Sequence, residues 1–343
     1  MNKQIEATRR RVTVKDVARA AGVSAGTVSN AISGKRKVDH ETRARIDKAI
    51  KELGYVPNLA ARGMRTGRAN TIAIFSSMPT AVAAGSARLG FLMEVAASAA
   101  VAALERNVAL VLVPPIEHPE TALGTIPFDG AIVVEPEVDD PYWKVLRDRG
   151  VPVVIIGPPP GAPAPAVRVD HATIATMLIG HLLDCGAREI PLIVGRSQRQ
   201  SNRVFRETYE ARMAAEGLPV RVIEVSEAEG ELGAEAALLA ELDAGRSMDG
   251  VLAPIDSMAA GAMAALHARG LRVPQDVRVA TRYDGFRARS QTPALTALNL
   301  RLDEMAQLAT TALLDQLEGM SEPVYLDAPA PELVVRGSTV PRD

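Results

Sequence analysis

Between Ser24 and Asn30 the chain sets hydrogen-bonding and very small side chains at successive helical positions: Ser24, Ala25, Gly26, Thr27, Ser29 and Asn30. Residues of this kind suit the edge of a base pair. The amide of Asn30 can pair in two places with adenine, and the methyl of Ala25 fits against that of thymine. Cationic side chains follow at Lys35, Arg36, Lys37, Arg43 and Arg45. These types hold phosphates and fix register without reading sequence. The charge distribution agrees. Residues 1–70 carry 16 Lys/Arg against 6 Asp/Glu, a formal +10, so the total of −2 hides a basic head on an acidic body. That asymmetry points to a polyanion partner for the head alone.

These side chains need a scaffold, and the head supplies one. Thr13 and Asp16 have capping-box spacing. Val17, Ala18 and Ala21 then form an apolar stripe that Gly22 ends. Ser24 caps a second helix whose Val28, Ala31 and Ile32 face inward. Two short helices joined at Ala21-Gly22-Val23-Ser24 make a helix-turn-helix, with the second as reading helix. A third helix starts at Asp39, buries Ile46, Ile50 and Leu53, and stops at Gly54. Beyond Tyr55-Val56-Pro57-Asn58, residues 59–64 form a helix too short to be stable alone. It is expected to fold on DNA, with Met64 as an apolar wedge in the minor groove.

From Thr71 the pattern changes to apolar strands alternating with helices. Strands are expected at 71–75, 109–113, 131–134, 151–156, 190–194, 220–225, 250–253 and 277–281, and helices at 91–105, 142–148, 174–185, 203–216, 233–242 and 259–268. Near-continuous apolar strands covered by helices indicate parallel sheets. The most apolar window, 91–104, is short and contains Glu94, so no membrane span is expected. The opening MNKQIEATRR has no apolar run behind its charges, and the single Cys185 cannot form an internal disulfide. A cytoplasmic protein is expected. No Walker-type loop, dinucleotide fingerprint or nucleophile elbow occurs. The five histidines, at 40, 118, 171, 181 and 267, lack metal-ligand spacing. No enzyme activity, cofactor or metal is therefore expected.

Through Thr13-Val14-Lys15-Asp16-Val17-Ala18, Ala21-Gly22-Val23-Ser24, Thr27-Val28-Ser29 and Gly54-Tyr55-Val56-Pro57-Asn58, the chain resembles the lactose/galactose-repressor family of bacterial transcriptional regulators. The resemblance continues to Val334-Val335-Arg336-Gly337-Ser338-Thr339. It implies an all-α helix-turn-helix head and an α/β periplasmic-binding-protein-like core of two Rossmann-like lobes. The implied division is 1–57 for the head, 58–69 for a hinge helix and linker, and 70–343 for the core. The first lobe takes 70–168 plus 299–331, and the second 169–298 plus 332–343. DNA contacts are implied at Thr13, Tyr55, Asn58, Ala61 and Met64, beside the reading helix and Lys35 to Lys37. The implied assembly is a homodimer on palindromic double-stranded operator DNA, paired through first-lobe helices such as 91–104. No heptad run follows the body, so a tetramer is not expected.

The implied function is repression, governed by a small-molecule effector such as a sugar or related metabolite. The alternative is an activator or dual regulator on the same fold. In such a core the ligand sits between the lobes, at the carboxyl ends of the strands. Ser76, Ser77, Glu135, Asp170, Asn202, Arg203, Phe205, Asp256 and Asp284 are the expected effector contacts. Three departures from the family pattern stand out. Ala25 and Gly26 are smaller than the usual first reading residues, Ile255 replaces the Asn of an Asn-Asp pair, and Phe205 stands where an effector-binding arginine is common, so that either Arg203 or Arg206 takes that part or the chemistry of the ligand differs.

Overall fold

A computed structural model describes residues 12–33, 36–55, 67–79, 90–113, 119–161, 163–320 and 325–340. The chain separates into two compact units, Met1–Arg68 and Ala69–Asp343.

The first unit holds α1 (Val14–Ala21), α2 (Ala25–Ser33) and α3 (His40–Leu53). Each start has a polar cause. The Asp16 carboxylate accepts from the Thr13 backbone N–H at 2.9 Å and from its hydroxyl at 2.7 Å. The Ser24 hydroxyl accepts from the Thr27 N–H at 3.0 Å, and Asp39 accepts from the Thr42 N–H at 2.9 Å. These bonds satisfy backbone donors that a helix start leaves without partners. Gly22 ends α1 at φ 67°, a left-handed conformation that costs glycine nothing, and so turns the chain straight into α2. Val17, Val28 and Ile46 are fully buried together with Ala18, Ala21, Ala31, Ala49 and Tyr55. Full burial of each large aliphatic side chain contributes about 1.5–3 kcal/mol, a large share for three short helices.

The second unit contains two six-stranded sheets. The first has the order β11-β5-β4-β3-β1-β2, built from β1 (Thr71–Phe75), β2 (Ala109–Val113), β3 (Gly130–Val134), β4 (Val153–Ile156), β5 (Ala166–Arg168) and β11 (Tyr325–Asp327), all parallel. The second has the order β12-β10-β9-β8-β6-β7, from β6 (Leu192–Gly195), β7 (Val222–Val225), β8 (Gly250–Leu252), β9 (Arg278–Tyr283), β10 (Thr296–Asn299) and β12 (Glu332–Val334). Among the described strands of this sheet, only β12 runs antiparallel to its neighbour. Every residue of β3 and β4 is buried, as an apolar strand covered on both faces must be.

Helices α4 (Phe91–Glu105), α5 (Pro119–Thr125), α6 (Pro141–Asp148) and α12 (Leu302–Leu317) belong to the first lobe. Helices α7 (His171–Asp184), α8 (Gln200–Ala215), α9 (Gly230–Asp243), α10 (Asp256–Ala268) and α11 (Phe286–Ser290) belong to the second. The chain crosses between lobes three times: from β5 to α7, from β10 to α12, and from β11 to β12. The last residues close the second lobe. Ser338 accepts from the Thr296 N–H at 2.8 Å, and its own carbonyl accepts from the Val279 N–H at 3.0 Å. The sequence reading assigns no helix to α12, although its buried Leu302, Met305, Ala306, Ala309 and Leu313 follow a helical repeat. Strands β5, β11 and β12 have three residues each, too few for an alternation to register. Among the described residues, no helix is long and apolar enough to cross a membrane.

Candidate functional site

On the head, α2 presents Ser24, Ala25 and Gly26 to solvent, with Thr27, Ser29 and Asn30 half-buried behind them. Val28 points inward and is fully buried. Thr13, Arg36 and Lys37 are exposed. Tyr55 is 8% exposed, and its ring packs in the head's core. Lys35, Asn58, Ala61 and Met64 lie outside the described residues.

In the core, the carboxyl ends of both sheets face one cleft. Its lining includes Phe91, Glu135, Arg199, Asn202, Glu227, Asp256, Arg282 and Tyr283. Glu135 sits just past β3 with φ 48°, a left-handed conformation that a non-glycine residue holds only when its surroundings enforce it. Those surroundings are a guanidinium and an imidazole. Arg282 lies 3.4 Å from its carboxylate and His171 lies 3.7 Å away. Burial works to raise the Glu135 carboxyl, but Arg282, with His171, Ser201 and Arg199 adding, outweighs it and holds the group below the usual carboxylate range. Burial also pushes His171 down, so at neutral pH the ring is uncharged, and neither of its nitrogens has a hydrogen-bond partner among the described residues.

Asp256 opens α10 and pairs with Arg287 at 3.2 Å. Burial nevertheless prevails there and pushes the carboxyl up. Glu227 differs from both. It is 6% exposed and accepts from the Ser197 hydroxyl at 2.5 Å and the Asn202 amide at 2.7 Å. No basic side chain among the described residues forms an ion pair with it. Gly195 makes this approach possible, because a Cβ there would stand 2.2 Å from the Glu227 carboxylate and 2.7 Å from the Asn202 amide.

Of the residues expected from sequence, Glu135, Asn202 and Asp256 line the cleft, and Ser77 joins through a 3.0 Å bond from Arg199. The others do not. Ser76 is fully buried and donates to the Val134 carbonyl. Phe205 is fully buried in the apolar core. Arg203 lies at an outer mouth beside Val138 and Pro160. Asp170 caps α7 through the Thr173 N–H at 2.9 Å and borders a groove of about 450 Å³ at the lobe crossings. Asp284 is held by Arg336 at 2.7 Å, away from the cleft lining. Sequence reasoning missed Arg199, Glu227 and Arg282 as site residues. Each is at or just past the carboxyl end of a second-lobe strand, and that position was the available signal.

Comparison with known proteins decides the family. The chain is 32% identical over 331 residues to the HTH-type transcriptional regulator CelR of Thermobifida fusca, covering 93% of this chain and 96% of that protein. It belongs to the LacI family. The profile described as "Bacterial regulatory proteins, lacI family" matches residues 13–58 of this LacI-family member, and one described as "Periplasmic binding protein-like domain" matches 179–339. The PurR repressor of Serratia proteamaculans (strain 568) is 30% identical over 339 residues, covering 95% of this chain and 96% of that one. A solved complex of CelR with cellobiose superimposes with a TM-score of 0.70 at 30% identity, over 96% of this chain and all of that one. A lac repressor dimer bound to operator and the anti-inducer ONPF has a TM-score of 0.78 at 23% identity, over 96% of this chain and 100% of that one, which speaks to fold alone. This LacI-family chain is thus a regulator with a helix-turn-helix head and a periplasmic-binding-protein-like effector domain. Among the described residues, no group of three or more His, Cys, Asp or Glu could hold a metal.

Proposed function

We propose that the protein is a cytoplasmic transcriptional repressor that binds a palindromic operator as a homodimer and is controlled by a neutral, hydroxyl-rich small molecule in the interlobe cleft. The carrying observation is the charge pairing in that cleft. Arg282 pairs with Glu135, Arg199 with Glu137 at 2.8 Å and Arg287 with Asp256, so each arginine already faces a carboxylate. Glu227 is buried with neutral donors only. Among the described residues that line the cleft, an anionic ligand meets no arginine without a carboxylate partner. A hydroxyl both donates and accepts, which suits carboxylates mixed with amide and guanidinium groups. Phe91 and Tyr283, edge to face at 5.7 Å, supply apolar surface for the carbon skeleton. The cellobiose bound by CelR has this chemistry.

The head supports the DNA half of the reading through its capped, outward-facing α2. Pairing of two copies is assigned to α4, whose Val101 and Leu104 are 60% and 64% exposed. With Ala97 they form an apolar stripe at helical spacing.

The test is a thermal-shift screen of the full chain against cellobiose, other neutral saccharides, sugar phosphates and nucleobases. Each hit is then assayed for its effect on operator affinity by fluorescence anisotropy. A neutral saccharide should stabilise the protein and change operator affinity, because coupling between two sites is reciprocal. Stabilisation by sugar phosphates alone, or a hit that leaves operator binding unchanged, would overturn the reading. Transcription from a promoter bearing the operator separates repression from activation.

A further inference from the structure

The cleft is filled by the protein's own side chains. Arg199, 3% exposed at the start of α8 in the second lobe, reaches across to the first lobe. There it donates to the Glu135 carbonyl, to the Ser77 hydroxyl at 3.0 Å and to Glu137 at 2.8 Å. Arg282 crosses to the Glu135 carboxylate, and the Tyr283 hydroxyl donates to Glu94 on α4. In all of these bridges the donor belongs to the second lobe and the acceptor to the first. What remains between them is a cavity of about 40 Å³. That is room for water, and far below the roughly 300 Å³ at which small-molecule sites begin.

We propose that Arg199 is a built-in substitute for the effector: it latches the two lobes shut in the ligand-free protein, and a ligand enters only by displacing its guanidinium from Glu137 and Ser77. This rests on the reading of the cleft as the effector site. Arg199 is the displaceable member because its bridge ends at the rim. The Glu137 side chain is 36% exposed, whereas that of Glu135, which holds Arg282, is 4% exposed. Water can solvate Glu137 when the latch opens, and Arg199 can move outward. Breaking the Arg282–Glu135 pair would instead strand two buried charges. The latch lowers apparent ligand affinity by the fraction of molecules that are open.

The test uses full-length protein without ligand, on a Cys185→Ser background, with one nitroxide at Lys144 in the first lobe and one at Glu216 in the second, mixed with an excess of unlabelled chains so that a labelled dimer carries one labelled copy. The distance distribution from double electron–electron resonance should be dominated by one narrow peak in the parent, with about a tenth of molecules at longer distances. In Arg199→Gln it should broaden to longer distances. Glu137→Gln, at the half-exposed end, should give the same change to a smaller extent and serves if Arg199→Gln folds poorly. Unchanged distributions in both variants would overturn the latch. Cellobiose is the ligand probe. If it binds, its Kd should fall by about tenfold in Arg199→Gln, the gain expected when about a tenth of parent molecules are open. A weaker Kd in the variant would make Arg199 a ligand contact and overturn the proposal. If cellobiose binds neither protein, cellobiose fails as the effector, and the distances still decide the latch.

Discussion

The head and the interlobe cleft use the same kinds of polar residue in opposite ways. On α2 the functional side chains stand at or near the surface, and the bonds that set the helix come from three residues away, as from Ser24 to Thr27. In the cleft the functional groups are buried and held by partners 62 residues apart for Arg199–Glu137, 147 for Arg282–Glu135 and 189 for Tyr283–Glu94. The difference teaches what each region can lose. Function on the head can be removed with little effect on the fold, whereas function in the cleft is part of the fold's polar core.

The largest expected effect tests the cleft side of that contrast. Glu135→Ala removes the carboxylate that faces Arg282 and leaves that guanidinium buried without its partner, which should destabilise the core by about 3–5 kcal/mol, read by urea unfolding. A loss below about 1 kcal/mol would place this charge in water and erase the distinction from the head. The same cluster sets an acid limb. His171 is held below its ordinary value by burial, so the unfolded chain takes up a proton first, and stability falls as pH drops below about 6.5. His181, also held down by burial, adds with the same sign. Glu135, held low in the folded state, adds its own loss only in the ordinary carboxylate range and below. Urea midpoints at pH 7.5 and 5.5 should therefore differ less in His171→Gln than in the parent.

Next comes Gly195→Ala. The added methyl meets Glu227 and Asn202 at the distances given above and should cost about 1–3 kcal/mol through overpacking. Ligand binding should suffer as well, since both groups line the cleft. Asn30→Ala tests the head side. It should weaken binding to an operator selected from random sequence by about 1–3 kcal/mol, and lower thermal stability by no more than about 1.5 kcal/mol, the range of one net hydrogen bond. Equal losses on operator and random DNA would remove Asn30 from base reading. Ser24→Ala should have the smallest effect, about 1 kcal/mol of head stability from the lost cap. A larger loss would mean that α2 is less self-contained than its local bonds indicate.

The same contrast governs what could be read in advance. Thr13, Asp16, Gly22, Ser24, Asp39 and Gly54 act on neighbours within a turn or two, so the three head helices were legible from spacing alone. The long strands of the core were legible because burial on both faces demands an apolar run. The cleft was only half legible. Strand ends mark its rim and gave Glu135, Asn202 and Asp256. Which carboxylate meets which guanidinium depends on lobes that come together across the whole chain. Thus Asp284, adjacent to the cleft in sequence, is taken by Arg336, while Arg199, lacking any motif, crosses to the other lobe.

Three crossings between lobes also set an order of events during synthesis. The head's three described helices are complete once residue 55 has left the ribosome. The first sheet waits for β11 and the second for β12 and Ser338, near the far end of the chain. A nascent molecule therefore passes through a period in which its DNA-reading surface is built and its sensor is not. Any product cut short in that interval would carry the address without the means to be told to leave it.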